Sequence, residues 1–393
     1  MKCDVVVVGA GPGGSMAARR AAEAGLNVVL LEKRQEIGDP VRCAEGVSKR
    51  SLHRLVKPEP EWIAAEVKGA RIYAPDGTEI VMSEDQSGGE VGYVLERKVF
   101  DRGLAMLAAQ AGARVMVKTR AMGLLRRDGA MSGVRALHIG EPVEIEAPLV
   151  IGADGVESKV GRWAGIDTAL KLHDIESCAQ FLVQDASIDE EYTEFFLGNS
   201  IAPAGYAWIF PKGEKLANVG LGILGSKGGP GEAIRHLKEF MKTRFPNGRV
   251  LEMVVGGDPC SGPLASATAD GVMLVGDAAH QTDPLTGGGI LNAMQAGVVA
   301  GEVAAKALSR AGESVPREAL KEYDDRWSAA MGRSLAKSFQ FKEFFVKLTD
   351  NDLNQLVGSL AREDISKMDL PGMLRVLFRL NPKLLWGLRS LIV

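Results

Sequence analysis

Runs of apolar residues near the start of the chain predict a strand, a tight turn, a helix and a second strand. The first run is Val5–Val8, whose β-branched side chains favour a strand that is buried on both faces. A glycine-rich turn follows it, and then an alanine-rich segment typical of a helix. The second apolar run ends in Leu30 and Leu31, and the acidic Glu32 comes directly after it. This order of elements is that of a βαβ unit in a doubly wound α/β sheet.

Similar patterns predict the other elements of the chain. Apolar runs at 149–152 and 272–275 predict two more buried strands, each followed by an acidic turn residue. A hairpin is predicted for residues 67–83, and residues 170–258 are rich in strand patterns. We expect these two pieces to form one antiparallel sheet. From about Val315 the pattern turns helical, with segments predicted at 318–335, 336–348, 350–361 and 370–393.

Length and charge bound the class of protein. At 393 residues the chain is longer than one hydrophobic core usually supports, so we expect at least two interlocked domains. Its net charge is −3 at pH 7 and its sequence has no basic stripe, so composition gives nucleic-acid binding no support. The predicted division is a discontinuous cofactor domain at 1–66, 93–165 and 260–312, a substrate domain at 67–92 and 166–259, and a C-terminal helical domain at 313–393.

Cysteine usage and hydropathy bear on the compartment. The four cysteines are far apart in the sequence and lack metal-ligand spacing, so we expect no metal site. The first residues lack the layout of a signal peptide. No run reaches the roughly 20 apolar residues that cross a bilayer. We therefore expect a cytoplasmic protein with reduced thiols, with peripheral contact at the inner face of the cell membrane as the alternative.

The glycine-rich turn carries the pattern of a dinucleotide-binding loop. Gly9, Gly11 and Gly14 lie where a pyrophosphate must approach bare backbone at the start of a helix. Glu32 lies roughly 20 residues beyond the turn, where a carboxylate accepts hydrogen bonds from ribose hydroxyls and repels a 2′-phosphate. The turn therefore predicts a site for the adenosine half of FAD or NAD. An ordinary βαβ unit that binds nothing is the alternative.

Two later segments decide between these cofactors. Asp154 follows the first of the two later strands, and Asp277 follows the second, with a glycine-rich run soon after it. The order and spacing of these segments and of the N-terminal turn resemble the flavoproteins that include p-hydroxybenzoate hydroxylase and the geranylgeranyl reductases, in which FAD is bound. The resemblance implies that Asp277 lies near the ribityl chain and that amides of Gly288, Gly289 and Ile290 face the flavin pyrimidine. A helix cap for Asp277 and a simple turn for Asp154 are the alternatives.

An aromatic motif narrows the resemblance. Tyr206, Trp208 and Phe210 alternate along the sequence. On a strand their side chains project to one face, which suits a long apolar chain and equally an ordinary sheet core. Together with the loop at 40–46, which contains Cys43, this motif resembles the geranylgeranyl reductases specifically, and the match runs from the first residue to about residue 300.

Three further roles come from the resemblance. Cys43 lies beside Arg42, a cation that favours the thiolate, in a loop that the family places close to the flavin ring, and an ordinary loop cysteine is the alternative. Arg97 begins a predicted helix and resembles a family arginine that contacts FAD, although solvation at the surface also explains it. Ala121, at the end of a strand predicted for 114–119, is assigned to the adenine edge on the resemblance alone.

The predicted site residues fall into three groups. The catalytic residues are Cys43, Tyr206 and Trp208, and the substrate-binding residues are Tyr206, Trp208 and Phe210. The cofactor-binding residues are Gly9, Gly11, Gly13, Gly14, Ser15, Glu32, Lys33, Arg42, Cys43, Ala44, Gly46, Arg97, Ala121, Asp154, Asp277, Gly288, Gly289 and Ile290.

The resemblance implies an FAD-dependent reductase that saturates double bonds of geranylgeranyl chains in archaeal-type membrane lipid precursors. The sequence has no second dinucleotide turn. NAD(P)H would therefore have to bind transiently to reduce the flavin, or a reduced ferredoxin would donate the electrons. Three other classes stay open: an FAD-dependent monooxygenase of an apolar or aromatic substrate, a flavoprotein electron-transfer dehydrogenase, and a non-catalytic lipid-binding flavoprotein. The dispersed cysteines argue against the iron–sulfur cluster that the second class usually carries.

The last predicted helix, at 370–393, is apolar and its only charges are positive. Such a stretch suits contact with an anionic membrane surface, with Trp386 at the interface. Pro371 and Pro382 divide it into short helices. The alternative is that these helices pack on the body of the protein and cover the substrate cavity.

Overall fold

The computed structural model describes residues 1–83, 92–127, 129–311, 314–363, 368 and 370–382. Its strands are β1 (Val5–Val8), β2 (Val28–Leu31), β3 (Gly46–Ser48), β4 (Ile63–Glu66), β5 (Gly69–Tyr73), β6 (Glu79–Ser83), β7 (Gly92–Leu95), β8 (Arg114–Met116), β9 (Thr119–Arg127), β10 (Ala130–His138), β11 (Glu141–Glu146), β12 (Leu149–Gly152), β13 (Ile175–Gln184), β14 (Tyr192–Leu197), β15 (Tyr206–Gly213), β16 (Leu216–Leu224), β17 (Arg249–Pro259), β18 (Thr268–Ala269) and β19 (Val272–Leu274). Its α-helices are α1 (Pro12–Glu23), α2 (Lys49–Leu55), α3 (Arg97–Gln110), α4 (Lys159–Ala164), α5 (Glu232–Arg244), α6 (Ile290–Ala311), α7 (Arg317–Trp327), α8 (Arg333–Phe345), α9 (Asp350–Ala361) and α10 (Leu370–Leu380).

The described residues form two compact units. The first contains residues 1–40, 97–170 and 261–336, and the second contains residues 41–96, 171–260 and the C-terminal residues from 337 onward. The predicted domains are a division by function, and their boundaries stay a prediction. In the two compact units, residues 41–66 belong with the strand-rich segment of the second unit. The C-terminal helices are divided between the units at residue 336.

A six-stranded sheet forms the centre of the first unit, in the order β18-β19-β12-β1-β2-β8. All neighbours are parallel except β18 and β19. The predicted first strand is confirmed, and its four valines are buried because strands of such a sheet are covered on both faces. β1 lies between β2 and β12, so the chain runs outward from β1 in both directions. A ligand binds at the carboxyl ends of the strands at such a switch point.

Helices α1 and α6 pack closely in the first unit because glycine removes the side chains between them. A Cβ atom at Gly297 would lie 2.2 Å from the carbonyl oxygen of Gly13, and one at Gly301 would lie 2.7 Å from that of Ala17. α1 itself begins with Pro12 at its first position, where proline's missing N–H costs nothing. The confirmed βαβ unit is therefore held against α6 by backbone contact.

The strand predicted for 114–119 is wrong in its extent. The chain turns at Lys118, whose φ is 50° and whose amide donates to the carbonyl of Arg34 at 2.6 Å. β8 therefore ends at Met116, and Ala121 lies within β9, opposite Ala136 of β10. β9, β10 and β11 form a separate three-stranded sheet.

A seven-stranded sheet forms the centre of the second unit, in the order β17-β13-β16-β15-β14-β5-β6. The predicted hairpin is confirmed as β5 and β6, and the prediction that it shares one sheet with the later strand-rich segment is confirmed too. One join differs from the expectation, since β14 and β5 run parallel whereas the other pairs are antiparallel. Helix α5 was not predicted; it covers one face of the sheet through residues such as Leu237 and Phe240.

The C-terminal region is helical as predicted, with different boundaries. The helix predicted for 318–335 is divided by a π-helical turn at Ser328–Gly332. In α10, Met373 is buried in a cluster with Val357 and Leu360 of α9, so the described part of this segment packs on its own unit. Residues 383–393, including Trp386, lie outside the described residues. No helix within the described ranges combines the length and apolar character needed to cross a bilayer.

Candidate functional site

The glycine-rich turn of the first unit can be formed by glycine only. Gly9 has a φ of 106°, and a Cβ atom there would lie 2.2 Å from the carbonyl oxygen of Ala153. A Cβ atom at Gly14 would lie 1.9 Å from the carbonyl oxygen of Gly9. At Gly11, by contrast, no atom of the described residues lies within 4 Å of that position. The turn is therefore tightly packed beneath and open at Gly11, as the approach of a ligand to the backbone requires.

The start of α1 supplies hydrogen-bond donors at this opening. The first amides of a helix have no partner within the helix, and the Gly11 cap contributes no side chain to them. Ser15 is buried and its hydroxyl donates to the carbonyl of Ala10 at 3.1 Å, so its role is to hold the turn. Gly13 packs against Val275 and Ala293. Backbone amides at a helix N-terminus bind phosphate groups.

Glu32 is held in place beside the turn by backbone amides. Its carboxylate accepts hydrogen bonds from the amides of Ala10 at 3.2 Å and Arg34 at 2.8 Å. It follows the carboxyl end of β2, where the sequence predicted a ribose-binding acid. The neighbouring Lys33 is exposed and pairs with Glu157 at 3.4 Å.

Asp154 has one oxygen engaged and one without a partner. Its Oδ2 accepts a hydrogen bond from the amide of Val160 at 3.0 Å, which closes the turn. Its Oδ1 is buried and has no hydrogen-bond partner among the described residues. Burial raises the pKa of this carboxyl above its ordinary value. An orphaned acceptor beside a glycine turn fits a bound hydroxyl, such as those of FAD.

The structure brings Asp277 together with the start of α6. Thr282 donates to Oδ1 of Asp277 at 2.8 Å. A Cβ atom at Gly289 would lie 2.9 Å from the Thr282 hydroxyl and 3.4 Å from the same carboxylate oxygen. Asp277 lies inside a 3₁₀ turn, Gly276–Ala279, and does not cap it. Gly288 and Ile290 flank Gly289 and are partly exposed. No sequence pattern pointed to Thr282, whose hydroxyl the fold brings into contact with Asp277.

Arg97 is fixed by an acid on its own helix. Its guanidinium makes two hydrogen bonds to Asp101, at 2.7 and 2.8 Å, and its side chain is 16% exposed. The bidentate pair orients the guanidinium, and the low exposure differs from that of a solvated surface arginine. Ala121, in the middle of β9, is partly exposed.

The second unit contains the aromatic residues and the cysteine loop. Tyr206, Trp208 and Phe210 share one face of β15, as predicted from their alternation. The ring centroids of Tyr206 and Trp208 are 5.9 Å apart, and Phe195 of β14 packs edge-on against Tyr206 and Phe210 at 5.7 and 5.5 Å. Trp208 and Phe210 are buried and Tyr206 is partly exposed. The wall is thus part of a sheet core that opens at Tyr206.

The cysteine loop is hydrogen-bonded to the aromatic wall. Gln180 of β13 donates to the carbonyl of Cys43 at 2.9 Å and accepts from the indole N–H of Trp208 at 2.9 Å. The Cys43 Sγ accepts from the amide of Glu45 at 3.2 Å. The side chain of Arg42 packs over Gly256 of β17. Gln180 therefore links two predicted catalytic residues, a connection that sequence reasoning missed.

A buried ion pair anchors the other side of this loop. Glu45 has a φ of 78°, and its carboxylate accepts from Lys212 at 2.6 Å and from Asn218. Lys212 also donates to the carbonyl of Leu95 at 2.7 Å. Asn218 donates to the carbonyl of Ala44 at 3.3 Å. Residues 43–45 are therefore held by three strands of the sheet. Gly46, the next residue, begins β3.

Of the predicted cofactor-binding residues, Arg42, Cys43, Ala44 and Gly46 lie in the second unit, and the others lie in the first. Within the first unit, the glycine turn, Asp154 and the Asp277 turn are packed together by Gly9 and Gly13. The open position at Gly11 and the orphaned Oδ1 of Asp154 are both features that a bound FAD would use. The residues present therefore fit the cofactor.

Comparisons with known proteins agree with this geometry. Residues 2–198 match the family model of an FAD binding domain, and residues 174–257 match that of a geranylgeranyl reductase catalytic domain. The second match contains Gln180, Trp208 and Lys212.

Relatives of known name cover the whole chain. The chain is 66% identical to digeranylgeranylglycerophospholipid reductase of Methanothrix thermoacetophila over 393 residues, which is 100% of both chains. It is 54% identical to digeranylgeranylglycerophospholipid reductase 2 of Methanococcoides burtonii, over 99% of this chain and 95% of that one.

Solved structures show the same fold. A geranylgeranyl bacteriochlorophyll reductase-like protein from Thermoplasma acidophilum superposes with a TM-score of 0.93 at 40% identity, covering 100% of this chain and 99% of the other. An anhydrotetracycline hydroxylase from Streptomyces rimosus has a TM-score of 0.65 at 20% identity, with 100% and 76% covered, and shows the fold alone. The chain belongs to the geranylgeranyl reductase family of FAD-binding flavoproteins, in the group of the digeranylgeranylglycerophospholipid reductases.

Proposed function

We propose that the protein is an FAD-dependent reductase that saturates double bonds in the geranylgeranyl chains of a digeranylgeranylglycerophospholipid. The observation that carries the proposal is the link from Trp208 through Gln180 to Cys43. It joins an aromatic wall suited to an isoprenoid chain to a loop whose cysteine is partly exposed. The chain is 66% identical over its full length to a reductase of this name, which supports the same substrate class.

The residues of the first unit are proposed to hold the cofactor. The amides at the start of α1 would bind the pyrophosphate, and Glu32 would accept hydrogen bonds from the ribose. Asp154 and Asp277 would accept from other hydroxyls of FAD, and Arg97 would donate to its oxygens. Amides of Gly288, Gly289 and Ile290, at the start of α6, would face the flavin pyrimidine and stabilise its anionic reduced form.

The chemistry of the second unit follows from the substrate. Bound FAD in its reduced form supplies a hydride to one alkene carbon. An isolated alkene has no carbonyl to polarise it, so its transition state carries positive charge. The faces of Tyr206 and Trp208 stabilise such charge by cation–π attraction, which is strong where water is excluded. Cys43 is proposed to donate the proton or to position the double bond.

The electron donor and the route of the lipid are also proposals. NAD(P)H or a reduced ferredoxin would reduce the flavin, and the protein would take its substrate by peripheral contact at the inner face of the cell membrane. Anaerobic bleaching of the bound flavin by NADPH, NADH or reduced ferredoxin in turn identifies the donor. Sedimentation with anionic vesicles tests the membrane contact.

The test of the reaction is anaerobic incubation of the flavin-loaded protein with a reductant and digeranylgeranylglycerophospholipid. We expect the lipid to gain the mass of one H₂ for each saturated bond. Cys43→Ala should lower turnover while flavin stays bound. The matched control is Cys3→Ala, because Cys3 lies in the first unit, just before β1. Oxygen-dependent formation of a hydroxylated product would identify a monooxygenase instead. The absence of product with every reductant would support a lipid-binding role.

A further inference from the structure

An acidic residue that no role above uses lies on the same sheet face as the aromatic wall. Glu176 is in β13, and its side chain shares a face with Cys178 and Gln180 because alternate residues of a strand point the same way. Across the sheet, Cys178 is opposite Gly222 of β16, and Gly222 is opposite Tyr206 of β15. The carboxyl therefore belongs to the face that carries Tyr206 and Trp208.

Two glycines of β16 show that this carboxyl and the indole of Trp208 cover neighbouring positions of the same sheet face. A Cβ atom at Gly220 would lie 2.5 Å from the Trp208 ring, so the ring covers that position. A Cβ atom at Gly222 would lie 2.3 Å from Oε2 of Glu176 and 3.3 Å from Sγ of Cys178. Residues two apart on a strand are separated by roughly 7 Å. An acid and an aromatic face thus occupy neighbouring places on one strand.

The surroundings of Glu176 raise the pKa of its carboxyl above the ordinary value. Among the described residues it makes no hydrogen bond and no ion pair, and burial raises its pKa to about 7, with the charge of Lys342 acting in the opposite sense. Lys342 of α8 is compensated by Glu343 at 2.8 Å and donates to the carbonyl of His173. The other titratable groups near this region are Cys43, Asp174, Cys178, Asp258 of β17 and Cys260.

We infer that Glu176 is the proton donor for the alkene, acting beside the cation-stabilising face of Trp208. This inference rests on the proposed function. Bound reduced FAD would supply the hydride for one alkene carbon, and the other carbon would gain its C–H bond as the O–H bond of Glu176 breaks. The alkene would thus gain a hydride and a proton, with FAD as the source of both electrons, and the Glu176 carboxylate would regain its proton from water. Cys43 then has the positioning role.

The first test uses three variants of the flavin-loaded protein. Glu176→Gln keeps the shape of the side chain and removes the acidic proton, Glu176→Asp keeps the acid but shortens its reach, and Glu239→Gln on the exposed face of α5 is the matched control. In single turnovers with lipid we expect Glu176→Gln to slow alkene reduction by at least about 100-fold, the usual contribution of a positioned acid. Glu176→Asp should recover part of the rate. Lipid binding, followed by tryptophan fluorescence, should not change.

The second test does not depend on turnover. Infrared difference spectra of the protein without lipid should show a protonated carboxyl band that titrates near neutral pH and is missing in Glu176→Gln. Retention of the band in Glu176→Gln, or a rate within about threefold of the unmodified protein, would overturn the inference. If Glu176→Gln does not fold, the titration of the band in Glu176→Asp decides. Failure of the unmodified protein to reduce lipid while the band is present would instead count against the proposed function.

Discussion

Replacing Lys212 with methionine tests how the cysteine loop is held. The Lys212 ammonium and the Glu45 carboxylate form a buried pair whose side chains are 7% and 3% exposed. Methionine fills similar space without the charge, so Glu45 would keep Asn218 but lose its cation. Breaking a buried pair by removing one partner costs about 3–5 kcal/mol, because the remaining charge stays desolvated. We expect a loss of that size in the free energy of unfolding.

Urea unfolding of the Lys212→Met variant measures this loss. Lys242→Met is the matched control, because Lys242 forms an exposed pair with Glu239 on α5, and such pairs contribute about 1 kcal/mol or less. The double variant Glu45→Gln with Lys212→Met should recover most of the stability, since it leaves no buried charge. A loss below about 1 kcal/mol, or a double variant no more stable than Lys212→Met, would refute the reasoning.

The same variant should also loosen Cys43. The amide of Glu45 donates to the Cys43 Sγ, so movement of Glu45 exposes the thiol. We expect faster alkylation of Cys43 in Lys212→Met, measured by peptide mass spectrometry, with no change in Lys242→Met. An unchanged alkylation rate would show that the ion pair does not control the loop.

Three further predictions follow from single contacts. Gly297→Ala should destabilise the protein by more than about 1 kcal/mol in thermal unfolding, because its Cβ atom would lie 2.2 Å from the backbone oxygen of Gly13. The control is Gly358→Ala in α9, where the Cβ position is open. This variant should be neutral or more stable by up to about 1 kcal/mol. Burial raises the pKa of Glu176 from 4.5 to about 7, so the folded state binds more protons than the unfolded state between these pH values. The free energy of unfolding should therefore fall as pH rises through this range, by roughly 3 kcal/mol in total. Urea unfolding of Glu176→Gln should lack this fall, and an equal pH dependence in the variant would exclude Glu176 as its source. Thr349→Ala removes the capping box of α9 and should cost about 0.5–2 kcal/mol in urea unfolding, while an effect below this range would mean that packing alone holds the helix start.

Local patterns in the sequence determined the cofactor turn and the aromatic wall. The turn at Gly9 needs a positive φ and has no room for a Cβ atom. Only glycine meets both requirements, so the glycine in the sequence indicates the turn. The buried valines of β1 and the alternation of Tyr206 and Trp208 are equally local, since each depends on the period of a single strand. Strand, turn and the shared face of the aromatic residues were therefore predictable without a structure.

Only the tertiary structure decided which polar side chains meet. Glu45 and Lys212 are 167 residues apart, and Gln180 is 137 residues from Cys43. Their pairing depends on strand order and register, which no local pattern specifies. The sequence does not distinguish a partly buried glutamate such as Glu176 from a solvated one, although desolvation in the folded protein raises the pKa of its carboxyl. The polar contacts of the second unit are thus set by how distant strands align, because hydrogen bonds and desolvation arise only once those strands are packed.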